Sequence, residues 1–77
     1  MDLEEAGKKW NGMHEKWSIA NQEARQARFA VTKAFTQCAA GEGAGPSAAQ
    51  IELTEKLERH ADELQLAEAS FLKEIFG

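Results

Sequence analysis

Apolar and small residues return every seven positions, without a break, through the first half of this chain. Leu3, Trp10, Trp17, Ala24, Val31 and Cys38 form one row; Ala6, Met13, Ala20, Ala27 and Ala34 form a second, three residues behind it. A strand repeats every two residues, so a sustained average spacing of about 3.5 specifies a helix with one sticky seam. A seam needs cover, and the remainder of a 77-residue chain can supply only one more helix of similar length.

Local chemistry marks where the helices begin and end. Asp2 is placed to cap the first helix, with Glu5 at the capping-box position. Glu4–Lys8 and Glu5–Lys9 are favourable i,i+4 pairs, worth about 0.2–0.5 kcal/mol each. Gly7 and Gly12 each weaken that end by up to ~1 kcal/mol relative to alanine. The seam passes through both glycines without a phase shift, so the helix is expected to be continuous. Gly41 is suited to a left-handed closing residue, and Gly-Glu-Gly-Ala-Gly-Pro over 41–46 is a turn by composition. Ser47, with Gln50 three residues on, restarts the chain as a second cap.

The second helix offers Leu53, Leu57, Ala61, Leu64, Ala67, Phe71 and Ile75 as an inward stripe, broadened by Ile51, Leu66, Leu72 and Phe76. Folding about the turn sets Val31 near Leu57, Ala24 near Leu64, Ala20 near Ala67 and Trp17 near Phe71. The expected fold is therefore an all-α antiparallel hairpin with helices over about 2–40 and 48–76. It forms one domain, 1–77. Small chains bury too little surface to be secure alone, and Ile19, Phe29, Phe35, Leu66 and Leu72 fall off the seam. Pairing of two hairpins into a four-helix bundle, as a homodimer, is the expected solution.

Charge and cysteine content narrow the function classes. The net charge of −4 is uneven. Residues 1–40 carry six basic and five acidic side chains, and residues 47–77 carry three and seven. Such a chain is no generic polyanion binder. Cys38 is the single cysteine, which rules out an intrachain disulfide and fits a reducing compartment. No apolar run approaches the ~20 residues of a membrane span, and the acidic start Met1–Glu5 is followed by no secretory apolar stretch. A cytoplasmic protein with no membrane contact is the expectation.

No pattern for catalysis, metal binding or a cofactor stands out, and a non-enzymatic role is expected. His14 and His60 sit about 20 Å apart in the expected hairpin, too far to share a metal. Cys38 has no base nearby. Glu58, Asp62, Glu63, Glu68 and Glu74 read as a solvated acidic outer face. Trp10-Asn11-Gly12 spells the Trp-x-Gly of a family of small secreted hairpins, but that family carries it in the turn.

The stretch Ala24–Ala40 contains Arg25, Arg28 and Lys33 and no acid. Gln22, Arg25, Phe29 and Lys33 share one outward stripe, a pattern of cations and an aromatic that can hold phosphates and stack a base. The arrangement resembles the Rop family of plasmid RNA-binding proteins, which are dimeric two-helix hairpins with layers of small and large residues. The resemblance is architectural and implies no residue roles here. The leading expectation is protein–protein interaction through helix faces, with Trp10, Met13, Trp17, Phe29, Phe35, Phe71 and Phe76 as the anchors for self-association or adaptor binding. RNA contact through Gln22, Arg25, Arg28, Phe29 and Lys33 is the alternative from another class. A third is a chaperone-like role that covers a helix of a larger protein.

Overall fold

Asp2 starts the first helix as its spacing predicts: its Oδ1 accepts from the Glu5 amide at 2.8 Å, satisfying one of the four free donors of a helix N-terminus. In the computed structural model, which describes residues 2–77, helix α1 then runs unbroken over Leu3–Ala39 and helix α2 over Ala48–Phe76. Met1, the start of the expected domain, lies outside the described residues. Gly7 and Gly12 sit within α1 and do not interrupt it. The single connection closes as a Schellman turn. The Gly41 amide donates to the Cys38 carbonyl at 3.0 Å and the Glu42 amide to the Gln37 carbonyl at 2.8 Å. Gly41 takes the left-handed φ of +80° that this closure requires. Ser47 Oγ then accepts from the Gln50 amide at 3.1 Å and opens α2.

The result is a single layer of two antiparallel helices measuring 58 × 17 × 14 Å. Its radius of gyration is 17.3 Å, against about 11–12 Å for a rounded chain of this length. So long a rod has little interior. Ala20, Ala24 and Ala61 form the buried centre, with Leu57 and Leu64 packed against it. Ala6, Val31 and Phe71 extend burial toward the ends, and Phe71 is the only aromatic among the described residues that is buried. The alanines let the two backbones approach closely, as the double row in α1 anticipates. Nine of its eleven members are buried or half-buried, and only the terminal Leu3 and Cys38 are exposed.

On α2 the inward face differs from the expected one. Leu53 is 56 % exposed and Ala67 is exposed, whereas Thr54 and Glu68 are buried. The rows that face α1 are Thr54, Ala61, Glu68, Ile75 and Leu57, Leu64, Phe71, each with seven-residue spacing. Two polar members hide this repeat from a reading that follows apolar residues. Both are satisfied in place: Thr54 Oγ1 donates to the Gln50 carbonyl at 2.9 Å, and Glu68 accepts from His14. The pairing of the helices shifts accordingly. Ala24 and Ala61 meet at the centre. Phe71 lies beyond Trp17, toward the open end, with the Lys9 ammonium 5.1 Å from its ring centroid. Glu68, rather than Ala67, points into the seam.

Candidate interaction surfaces

Viewed along its length the hairpin has two broad faces, an open end and a turn end. The polar face is built from the row Gly7, His14, Asn21, Arg28, Phe35 on α1 and the row Glu58, Gln65, Leu72 on α2. Its centre is internally paired. Arg28 Nε donates to Glu58 Oε2 at 3.0 Å and Arg28 Nη2 to Glu58 Oε1 at 2.5 Å, a two-pronged ion pair across the helices. The hydrogen bond to the guanidinium, aided by its charge, holds the Glu58 carboxyl below its ordinary value, and the same contact pushes Arg28 up.

Toward the open end, His14 donates through Nδ1 to Glu68 Oε1 at 2.8 Å. Its ring lies between two tryptophans one turn to either side. It stacks on Trp10 at 4.8 Å and 13°, and is tilted against Trp17 at 5.3 Å and 32°. Glu68 is 7 % exposed, so this hydrogen bond is what makes a carboxylate tolerable in the seam. The acidic face expected on α2 therefore loses Glu68 to the interior and Glu58 to Arg28. A histidine oriented by a carboxylate is a half of many catalytic sets, but nucleophilic chemistry needs a partner beside it. Cys38 is exposed at the other end of α1, about 36 Å along the helix. Among the described residues, no group of three or more His, Cys, Asp or Glu could hold a metal ion. His60 is exposed.

The expected anchors divide into two sets. Trp10, Phe71 and Phe76 share an apolar groove of about 370 Å³ at the open end, with Leu72 and Ile75 on α2 and Leu3, Ala6 and Gly7 on α1. Met13 and Trp17 are half-buried just below it. The Trp10 indole N–H is buried there with no hydrogen-bond partner among the described residues. Phe29 and Phe35 stand apart, exposed on the turn-side half of α1.

The basic stripe is also in place. Gln22, Arg25, Phe29 and Lys33 are exposed, and Phe29 stands 70 % free. Arg28, the remaining residue expected to contact RNA, is committed to Glu58. The groove that Arg25, Arg28 and Phe29 line is shared with Glu58 and Asp62, so carboxylates flank the cations.

The opposite face carries the rows Lys9, Lys16, Glu23, Ala30 on α1 and Leu53, His60, Ala67, Glu74 on α2, all exposed. The Lys9–Phe71 contact fixes which side this is. Ile19 stands beside it at 55 % exposure. Sequence reasoning assigns Leu53 and Ala67 to the internal seam and so misses this face. The signal that locates it is the Thr54–Glu68 repeat, which turns both residues outward. Among the described residues, no helix is long and apolar enough to cross a membrane. The chain matches no known family model, no curated protein and no solved structure, so its function has to be read from these surfaces.

Proposed function

We propose that this protein is a non-catalytic interaction module of the cytoplasm that works by docking helix faces, pairing first with a second copy of itself as a four-helix bundle. One observation carries the reading. Among the described residues the internal seam buries one large aromatic side chain, Phe71, and half-buries Trp10, Met13, Trp17, Leu57, Leu64 and Ile75, while Leu3, Ile19, Phe29, Phe35, Leu53, Leu66, Leu72 and Phe76 remain exposed. Covering one such side chain is worth roughly 1.5–3 kcal/mol. A hairpin held mainly by alanines gains more from a partner than from its own interior. The lone exposed cysteine fits a compartment where thiols stay reduced.

Absolute mass in solution, by light scattering on a sizing column over a hundredfold concentration range, tests this directly. A dimer is expected. A monomer throughout would remove self-pairing and leave the apolar end as the docking site for a different helical protein, the adaptor or chaperone-like role.

A second reading, contact with single-stranded RNA, has one observation in its favour: Phe29 stands free between Arg25 and Lys33. Replacing Arg25 and Lys33 together by glutamate should abolish salt-dependent retention of an RNA loop. Unchanged retention, or none in the parent protein, removes that reading.

A further inference from the structure

We propose that the face carrying Ala30 and Leu53 is where the second copy packs, and that it packs with both turns at the same end, α1 of each hairpin lying on α2 of the other. This rests on the self-pairing proposed above and specifies its geometry. The polar face is a poor candidate at its centre, because Arg28 and Glu58, and His14 and Glu68, already satisfy each other within one chain. The opposite face has no ion pair among its described residues, and Leu53, Ile19, Ala30 and Ala67 lie exposed on it or along its edge.

Charge pattern then selects the occupant and its direction. The Lys9–Phe71, His14–Glu68 and Arg28–Glu58 contacts set the two rows level to within about one helical turn, Lys9 with Glu74, Lys16 with Ala67, Glu23 with His60 and Ala30 with Leu53. Each level sets a cation against an anion, a long aliphatic stem against an alanine, an acid against an imidazole, or apolar against apolar. Lys9 and Glu74 are exposed and make no ion pair among the described residues. A two-fold axis parallel to the helices lays α1 of one copy over α2 of the other at the same level, and so forms each of these pairings twice across the interface. The other way to stack two hairpins face to face, with an axis across the helices, runs each row antiparallel against itself. When Lys16 then meets Glu23, Lys9 falls on Ala30 and Leu53 on Glu74, and the apolar residues are set against charges.

The test uses exchange between chains. Leu53→Lys and Ala30→Glu each place one charge on an exposed position, so the hairpin itself persists, which circular dichroism verifies. Each variant alone should self-associate roughly tenfold or more weakly than the parent, because its dimer buries two unpaired charges. Mixed in equal amounts, the two should form a heterodimer that recovers to within about threefold of parental affinity, since the introduced lysine then meets the introduced glutamate at one level. Compensation within one chain cannot produce that rescue. In a Cys38→Ala background, spin labels on Glu42→Cys should lie within about 30 Å of each other across the dimer, against a distance near the 58 Å length of the hairpin for the opposite packing. A dimer with the long distance overturns this geometry and leaves self-pairing standing. A short distance without rescue in the mixture overturns the face. A monomer at every concentration overturns both this inference and the self-pairing on which it rests.

Discussion

A carboxylate inside a largely apolar seam is the residue that most needs accounting for. Glu68 is held by His14, and His14 by two tryptophans. Breaking that arrangement from its two sides should give opposite results. His14→Phe keeps a ring between Trp10 and Trp17 but strands the carboxylate, and should lower stability by about 1–3 kcal/mol. Glu68→Leu removes the buried charge with its need for a partner, and should be neutral or stabilising. Urea unfolding of both variants checks the order; a larger loss for Glu68→Leu would mean the pair itself holds the helices together. Arg28 and Glu58 support a second prediction at this scale. Because the Glu58 carboxyl is held below its ordinary value, its contribution is present above the ordinary glutamate range and is lost as pH falls through the lowered one. Glu58→Gln should therefore flatten the acid side of the stability–pH curve and leave its neutral-to-basic side with the same slope. Neither pair is legible in the sequence. Each joins residues far apart along the chain through polar atoms, and a hydrophobic pattern fixes such contacts only once the helix register is known to within one residue.

At the scale of the helix, local signals are strong enough to be read directly. The caps at Asp2 and Ser47 and the closing glycine at Gly41 all appear where their residue types require, because each depends only on neighbours within a turn. The face of α1 was equally legible, since every member of its double row is apolar or small. The face of α2 was not. Leu53 and Ala67 outscore Thr54 and Glu68 on hydrophobicity, yet the latter pair faces inward, because the other helix supplies an acceptor-satisfying histidine and the threonine bonds its own backbone. The glycines provide the sharpest test of which local rules operate. A Cβ at Gly7 or Gly12 meets nothing within 4 Å, and both lie in regular helix. Gly7→Ala and Gly12→Ala should each stabilise α1 by about 0.5–1 kcal/mol and raise the melting temperature. Gly41→Ala meets open space too, but its φ of +80° is strained for alanine, and it should destabilise by a comparable amount. If all three shifted in the same direction, the left-handed closure of α1 would not be what Gly41 supplies.

For the molecule as a whole, the argument turns on surface against interior. A rod 58 Å long and one helix thick cannot enclose most of its large apolar residues, whatever register its two helices choose. Leu53 and Ile19, which lie on or beside the Ala30–Leu53 face, are 56 % and 55 % exposed. If a second hairpin supplies the missing cover, folding and association are one equilibrium, and anything that binds only the folded form raises its apparent stability with concentration. The melting temperature should then climb steadily as protein concentration rises from the low micromolar range upward. Trp17→Ala separates the two contributions. Trp17 is half-buried beside the His14–Glu68 pair, so its loss loosens the seam that holds the two helices together. That variant should show reduced helicity at low concentration, with part of it regained as concentration rises. A melting temperature independent of concentration, in the parent and in Trp17→Ala alike, would mean that the seam of alanines suffices by itself and that no second copy covers the Ala30–Leu53 face.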